Sequence, residues 1–207
     1  MKLYYSPGAG SLSPHIVARE AGLDLELVKV DLAAKKTESG ADYGAINPKG
    51  YVPALQLDDG QVLTEGPAIV QYLADQVPGS GLAPASGTMA RYRLQETLGF
   101  INSEIHKTYS PLFKDTTPAE TRAERLEYLR KRYALVDSVL AKQPYLLGKE
   151  FSVADAYLFT VTNWAKSVKL DLSGLGHLTA FQQRIAARPA VQDALFEEGL
   201  SKTRRAA

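Results

Sequence analysis

The 207-residue chain contains no cysteine, and this absence excludes more than any other feature of its composition. Without a thiol there is no disulfide, no thiolate ligand for a metal and no cysteine nucleophile in the protein. The formal net charge is only +1, so no global field favours nucleic acid or an anionic membrane. No apolar run approaches the ~18 residues that a membrane span requires, and nothing at the N-terminus is typical of a signal peptide. We therefore expect a cytoplasmic globular protein with no metal, nucleic-acid or membrane partner.

The N-terminal part of the chain alternates between strand-like and helix-like segments. Residues 2–5 are a short β-prone run, and residues 25–30 alternate as a half-buried strand does. Ser11 or Ser13 can cap the helix between them, and Gly22 is placed to end that helix. These segments predict a βαβ arrangement.

A second group of short elements follows a polar connection. Residues 53–57 and 61–63 form two strands joined by Asp-Asp-Gly, which is an Asp-Gly hairpin signal. Pro67 suits the first turn of the helix that comes next. With a short helix before these strands, the predicted order of elements for residues 1–77 is βαβαββα.

Residues 78–87 are rich in proline, glycine and serine and are the best linker candidate in the chain. Beyond them, apolar residues recur every three to four positions, as on one side of a helix. The first such stripe consists of Leu94, Leu98, Ile101 and Ile105. The sequence therefore predicts an α/β domain at 1–77, a linker at 78–87 and an all-α domain at 88–207.

Five short motifs occur together at specific spacings. They are the opening Met-Lys-Leu-Tyr-Tyr-Ser-Pro-Gly-Ala, Asn-Pro-Lys-Gly-Tyr-Val-Pro at 47–53, Leu-Thr-Glu-Gly-Pro-Ala-Ile at 63–69, His106-Lys107, and Ser-Val-Ala-Asp at 152–155. In their joint spacing, which covers nearly the whole chain, they resemble the bacterial beta-class glutathione transferases. The resemblance implies an α/β thioredoxin-like N-terminal domain and an all-α C-terminal domain that shapes the second-substrate pocket. It also implies a homodimer with two active sites.

The turn at 50–53 is the first candidate contact for glutathione. The resemblance implies that the Val52–Pro53 peptide bond is cis, which costs little only before proline. Such a turn leaves the backbone groups of Val52 available to pair with an extended peptide, as a neighbouring strand would. The cysteinyl unit of glutathione is such a peptide. From the residues alone, a trans turn proline at the entry of a strand is an equal alternative.

Glu65 and Gly66 stand at the predicted start of a helix, where unpaired N–H groups and the helix dipole attract a carboxylate. The resemblance implies that the Gly66 N–H binds the γ-glutamyl carboxylate and that the Glu65 side chain binds the ammonium. The residues alone favour another interpretation, in which Glu65 only complements the helix dipole. Lys35 corresponds to a lysine that the family sets against the glycyl carboxylate; its alternative is a solvated loop lysine.

The first long helix of the second domain carries three further candidates. The resemblance implies that His106 and Lys107 lie beside the thiol end of glutathione. A lone helical histidine is otherwise most often structural; neutral, it could bind a water or substrate, and protonated, it could favour a thiolate. Glu104 corresponds to a residue that reaches the γ-glutamyl ammonium across the dimer, and the apolar stripe at 94–105 is a candidate packing surface for that dimer. The family commonly has asparagine where this chain has Gly99, so part of the cross-subunit contact is expected to be missing.

Position 10 is where the chain departs most from the family, because it has Gly10 in place of the family's cysteine. A mixed disulfide between the enzyme and glutathione is therefore closed to this protein. What remains is a helix N-terminus, the N–H groups of Gly10 and Ser11, and the Ser11 hydroxyl, which can stabilise the thiolate of glutathione itself. Tyr5 is a second candidate donor, which we rank below Ser11.

The Ser-Val-Ala-Asp motif at 152–155 has the pattern of a capping box. Ser152 is the predicted N-cap, and Asp155 takes the place usually given to glutamate. We interpret this motif as structural, because it should nucleate a long buried helix that also carries Trp164.

The sequence thus predicts a glutathione transferase that stabilises the glutathione thiolate and conjugates it to small electrophilic, mostly apolar substrates. Glutathione is the co-substrate in this interpretation. One alternative is a glutathione-dependent isomerase or dehalogenase of the same superfamily. Another is a catalytically weak protein that binds glutathione or apolar ligands, an interpretation that the missing cysteine at position 10 favours.

Overall fold

The computed structural model describes residues 1–202, which fall into two units. The first unit is Met1–Ala83 together with the segment that begins at Ala186, and the second is Pro84–Ile185. The predicted limits of the domains and linker stay predictions. The structure adds that the last part of the chain belongs with the first unit.

A five-stranded mixed sheet forms the centre of the first unit, with strand order β3-β2-β1-β4-β5. Its strands are β1 (Lys2–Tyr5), β2 (Glu26–Asp31), β3 (Lys36–Thr37), β4 (Ala54–Gln56) and β5 (Val62–Thr64). The central strand β1 is parallel to β2 and antiparallel to β4, and β4 is antiparallel to β5. This is the thioredoxin-like arrangement that the resemblance implies, with the two-residue strand β3 added to the four strands predicted from the sequence.

Four helices belong to this unit: α1 (Leu12–Ala21), α2 (Tyr43–Ile46), α3 (Gly66–Gln76) and α9 (Pro189–Glu197). Helices α3 and α9 both pack against α1. Helix α3 packs against β4 and β5. The largest fully buried side chains of α1 and α3 are Leu12, Ile16, Ile69 and Leu73.

The two ends of α1 compare differently with the sequence prediction. At its C-terminal end Gly22 is left-handed, with φ 68°, and its N–H bonds to the Ala18 and Arg19 carbonyls, as predicted. At the other end, the prediction of a serine cap is wrong. Ser11 has a helical backbone, with φ −66° and ψ −17°, and its side chain makes no capping bond. Ser13 instead donates its hydroxyl hydrogen bond to the Gly10 carbonyl at 3.0 Å.

The second unit is helical throughout its regular structure. It contains α4 (Met89–Phe100), α5 (Lys107–Tyr109), α6 (Ala119–Leu140), α7 (Val153–Thr162) and α8 (Gly176–Ala186). A π-helical segment, Ile101–His106, joins α4 to α5. Such segments are rare and occur often at functional sites, and the regular spacing of the apolar residues gave no sign of this one.

Helix α7 is buried along its whole length and is the core of the second unit. The predicted capping box at its start is confirmed: both the Ser152 N–H and the Ser152 hydroxyl donate to Asp155 Oδ2 at 2.8 Å. The Leu146 N–H donates to the other carboxylate oxygen at 2.8 Å. The predicted length of the helix is wrong, because α7 ends at Thr162 and Trp164 lies in a 3-10 turn.

Within residues 1–202, no helix combines the length and the apolar character needed to cross a membrane.

Candidate functional site

The register of the sheet brings three sequence-predicted regions of the first unit to one edge. Tyr4 pairs with Ala54, and Ala54 pairs with Thr64. Because these pairs are antiparallel, the last residue of β1, the residue before β4 and the residue after β5 follow one another across the sheet. The edge therefore carries the ends of three segments: the loop towards α1, the turn at 50–53, and the start of α3.

The turn before β4 contains a cis peptide bond between Val52 and Pro53, as predicted. Within residues 1–202, neither the N–H nor the C=O of Val52 has a hydrogen-bond partner. Both backbone groups are therefore available to an extended peptide, which would bind them as a neighbouring strand does.

Lys35 reaches this turn from the connection between β2 and β3. Its ammonium donates to the Gly50 carbonyl at 2.7 Å and lies 5.9 Å from the centre of the Tyr51 ring. The backbone of Lys35 is left-handed, with φ 55°, an uncommon conformation for a residue other than glycine. The fold thus holds an exposed positive charge beside the open backbone of the turn.

The start of α3 offers one open backbone donor. The N–H groups of Ala68 and Ile69 both bond to the Glu65 carbonyl at 3.0 Å, and Pro67 has no N–H. The Gly66 N–H has no hydrogen-bond partner among the described residues. An open N–H at the positive end of a helix is a site for a carboxylate.

Glu65 itself is held in a strained backbone conformation, with φ 72° and ψ 115°. Strain of this kind costs roughly 1–3 kcal/mol and is concentrated at functional sites. The carboxylate is exposed and accepts from the Lys49 ammonium at 2.7 Å, and Lys49 also donates to the Thr64 hydroxyl at 2.9 Å. Lys49 was not among the residues predicted from the sequence, because its contact depends on the pairing of two strands. The ion pair shows that the Glu65 carboxylate binds an ammonium in this position.

The loop before α1 presents two further backbone donors. The N–H groups of Gly10 and Ser11 have no hydrogen-bond partner in the part of the chain that the structure describes. The Ser11 hydroxyl differs from the sequence expectation of an available donor: it is fully buried and bonds to the Ser6 N–H and the Ser6 carbonyl, both at 3.2 Å. Its hydrogen bonds fix the loop instead.

Tyr5 ends β1 beside this loop and is half-buried. Burial raises the pKa of its hydroxyl, and the carboxylates of Glu198 and Glu38 add to the effect. The hydroxyl therefore keeps its proton at neutral pH and can act as a donor.

The C-terminal segment also contacts this loop, a contact that no sequence signal indicated. Glu198, which is buried, accepts from the Gly8 N–H at 2.8 Å. Its other oxygen lies 3.0 Å from Nδ1 of the buried His15. These partners are separated by more than 180 residues, so only the folded chain brings them together.

In the second unit, His106 has a defined orientation. Its Nδ1 lies 2.6 Å from the Tyr157 hydroxyl, which donates to Asn102 Oδ1 at 2.8 Å. Because Tyr157 uses its hydrogen on Asn102, the His106 Nδ1 is the donor, and a neutral imidazole carries its lone pair on Nε2. The Trp164 ring packs edge-on against the imidazole, with ring centres 4.7 Å apart.

Glu104 is bound within its own chain. The Tyr128 hydroxyl donates to Glu104 Oε2, and this bond raises the pKa of Tyr128. Arg132 Nε lies 3.8 Å from the same oxygen. Lys107, which lies three residues after Glu104, is exposed. The roles predicted for Glu104, His106 and Lys107 stay predictions.

Comparisons with known proteins agree with this geometry. The family model described as the glutathione S-transferase N-terminal domain matches residues 11–76, and the model of the C-terminal domain matches residues 100–189. Glutathione S-transferase GstA of Escherichia coli O157:H7 is 52% identical over 200 residues, which cover 97% of this chain and 100% of the relative.

Two solved structures are similar at a TM-score of 0.94, each covering 97% of this chain and 100% of its own. One is a sphingomonad glutathione S-transferase complexed with glutathione, at 50% identity. The other is the bacterial beta-class glutathione S-transferase of Sphingomonas chungbukensis, at 47% identity. The resemblance to the bacterial beta class is thereby confirmed, and this chain, a transferase, belongs to the glutathione S-transferase family.

Proposed function

We propose that this transferase binds glutathione along the sheet edge of the first unit and conjugates its sulfur to small electrophilic, mostly apolar substrates. The observation that carries the proposal is the set of unpaired backbone groups and exposed charges along that edge. The Gly66 N–H and the Glu65 carboxylate suit the γ-glutamyl carboxylate and ammonium, and the Val52 backbone suits the cysteinyl peptide. Lys35 suits the glycyl carboxylate. The order of these groups matches the order of charges along the tripeptide.

For the sulfur itself, we assign the N–H groups of Gly10 and Ser11 as the stabilising donors, in place of the Ser11 hydroxyl. Both N–H groups stand at the start of α1 without a partner among the described residues, whereas the hydroxyl is occupied by Ser6. A free thiol has a pKa of ~8.5, and stabilisation by about 1–2 kcal/mol lowers that pKa by roughly one unit. The thiol proton passes to water, and the thiolate then bonds to the electrophilic carbon while the leaving group departs, as chloride in the case of an aryl chloride. The nucleophilic sulfur is therefore that of glutathione and not of the protein.

A second candidate is a protein that binds glutathione or apolar ligands with little turnover. The absence of cysteine at position 10 favours this alternative, because no enzyme sulfur can assist. Turnover of an activated aryl chloride, measured beside glutathione binding by calorimetry, separates the two. Binding without turnover across a broad panel of electrophiles would establish the binding protein.

The substitution Gly10→Cys should give the protein a reaction that it lacks, the formation of a mixed disulfide with glutathione. Conjugation should not require this substitution. The parent is expected to conjugate glutathione to the aryl chloride and to form no adduct with oxidised glutathione. The variant places a thiol at a helix N-terminus, where the dipole lowers the thiol pKa. It should therefore gain the mass of one glutathionyl unit on exposure to oxidised glutathione, as seen by mass spectrometry.

Ser86→Cys is the control for this experiment, since Ser86 is exposed and lies outside the helices and strands. Its thiol should form the adduct more slowly than the thiol at position 10. Equal rates at the two positions would show that the start of α1 does not activate sulfur. A parent that binds glutathione and conjugates nothing would reject the transferase mechanism proposed here.

We also propose that the protein is a homodimer. The stripe at 94–105, a predicted packing surface, is buried within its own unit, with Leu94, Leu98, Ile101 and Ile105 each at most 1% exposed. The large apolar side chains that α4 exposes are Met89 and Tyr92, at 69% and 57%. Met89 and Tyr92 are three residues apart on α4 and therefore share one side of the helix, and adjoining exposed apolar side chains are candidates for an association surface.

Light scattering should accordingly give twice the chain mass of 22.5 kDa at micromolar concentration. The double substitution of Met89 and Tyr92 by serine should shift the protein towards monomer, because it removes apolar area from the proposed interface. Leu135→Ser is the control, since Leu135 is 51% exposed on α6. A parent mass of a single chain would contradict the proposal.

A further inference from the structure

The peptide before Val52 is held by two buried side chains. The Tyr43 hydroxyl and the Asn47 side-chain amide both donate to the Tyr51 carbonyl, each at 2.8 Å. Tyr43 is fully buried and Asn47 is 2% exposed. One carbonyl oxygen has two lone pairs, so these donors occupy both of its acceptor positions from the interior of the protein.

The Tyr51 carbonyl and the Val52 N–H belong to the same planar peptide unit. This peptide is not cis, so its carbonyl and N–H point in opposite directions. Donors that hold the carbonyl inward therefore hold the N–H outward, where it has no partner among residues 1–202.

We propose that Tyr43 and Asn47 are positioning residues that aim the Val52 N–H at the cysteinyl carbonyl of glutathione. This inference rests on the proposed function and deepens it. Neither side chain needs to touch the ligand. By fixing the peptide before binding, they remove the cost of ordering it when the tripeptide arrives.

The short helix α2 is built to hold these two side chains. Asp42 caps it by accepting from the Gly44 N–H at 2.9 Å. The Asn47 N–H donates to the Tyr43 carbonyl at 2.8 Å, which ties the two positioning residues together. The Asn47 side-chain oxygen accepts from the Lys49 N–H at 3.1 Å, so both ends of the Asn47 amide are used.

Burial also keeps Tyr43 in its donor form. The ring lies in the core of the first unit, with its centre 5.8 Å from that of the Tyr4 ring. Burial raises the pKa of the Tyr43 hydroxyl above its ordinary value, an effect larger than the opposing hydrogen bond from Asn47. The hydroxyl thus remains protonated through neutral and mildly alkaline pH.

A matched pair of substitutions tests the inference: Tyr43→Phe and Tyr4→Phe. Each removes one hydroxyl from the same buried cluster, and among the described residues the Tyr4 hydroxyl bonds only to Gln56, at 3.0 Å. Tyr43→Phe should weaken glutathione binding by about five-fold or more, the loss expected for one hydrogen bond. Its KM for the aryl chloride should not change. Tyr4→Phe should lower the melting temperature similarly while it leaves glutathione binding within two-fold.

Backbone NMR relaxation gives a readout that a merely structural role would not move. In the ligand-free Tyr43→Phe variant, the N–H order parameter of Val52 should be lower than in the parent, whereas in Tyr4→Phe it should not be lower. If Tyr43→Phe fails to fold, Asn47→Asp replaces it, because it removes the donor and keeps the acceptor for the Lys49 N–H. Equal glutathione affinities for Tyr43→Phe and Tyr4→Phe would overturn the positioning role of Tyr43 and leave the proposed function intact. A parent that binds no glutathione would refute the proposed function as well.

Discussion

Glu65→Ala is expected to weaken glutathione binding by roughly 2 kcal/mol or more, about thirty-fold, with little change in melting temperature. The bound ammonium of the γ-glutamyl unit would lose its carboxylate partner, and an unpaired, desolvated charge is costly. Folding stability should change little, because the side chain of Glu65 is 60% exposed and its ion pair with Lys49 lies at the surface. Titration calorimetry beside a thermal melt measures both quantities.

Two further substitutions separate charge from backbone. Glu65→Gln keeps the shape of the side chain at φ 72° and removes its charge, so it should weaken binding nearly as much as the alanine variant. Lys49→Met removes the cation that occupies the carboxylate in the ligand-free protein. It should bind glutathione at least as tightly as the parent. Unchanged glutathione affinity in Glu65→Ala would show that Glu65 only complements the helix dipole and does not bind glutathione.

Asp155→Ala is expected to lower the free energy of unfolding by about 3 kcal/mol or more at pH 7. The substitution leaves three donors without their acceptor, namely both donor groups of Ser152 and the Leu146 N–H. All three bonds are 2.8 Å long, and Asp155 is fully buried at the start of the core helix α7. Urea denaturation followed by circular dichroism measures the loss.

Asp137→Ala is the comparison for this experiment, since within residues 1–202 the Asp137 carboxylate accepts a single N–H, that of Leu178, at 2.8 Å. Its loss should be clearly smaller. Similar losses in the free energy of unfolding for both variants would show that the capping box stabilises the protein no more than a single hydrogen bond to a carboxylate does.

The cost of Asp155→Ala should also depend on pH. Burial raises the pKa of Asp155 to about 6 from 3.8, despite the hydrogen bonds that lower it. Between these values the folded protein holds a proton that the unfolded chain has released, so the contribution of Asp155 is greatest below about pH 4. It declines as the pH rises to about 6 and is constant above. The difference in stability between parent and variant should therefore be larger at pH 4 than at pH 7.

Features decided by neighbouring residues were predictable from the sequence. Gly22 ends α1 because a left-handed residue is needed there, and the Asp-Gly signal at 58–60 does separate β4 from β5. The capping box needs only Ser152 and the residue three positions later. Each of these signals combines a local backbone demand with the residue type that meets it.

Features that depend on partners distant in sequence were not predictable. The Lys49–Glu65 ion pair requires the final strand register, and the Glu198 contact to Gly8 joins residues at opposite ends of the chain. The Ser11 hydroxyl had several possible acceptors, and only the folded loop selects Ser6. The residue types of the site were thus evident from the sequence, whereas the partners of each side chain came from the fold.

The membership of α9 in the first unit has a consequence for biosynthesis. Helix α9 packs on α1, and Arg188 forms an ion pair with Glu20 at 2.6 Å. During translation, residues 1–83 leave the ribosome long before the segment that begins at Ala186 exists. The complete sheet and helices α1 to α3 must therefore wait, with one side of α1 uncovered, until α9 is released. Nascent chains of this protein should for that reason become fully protease-resistant in the first unit only after synthesis is nearly finished.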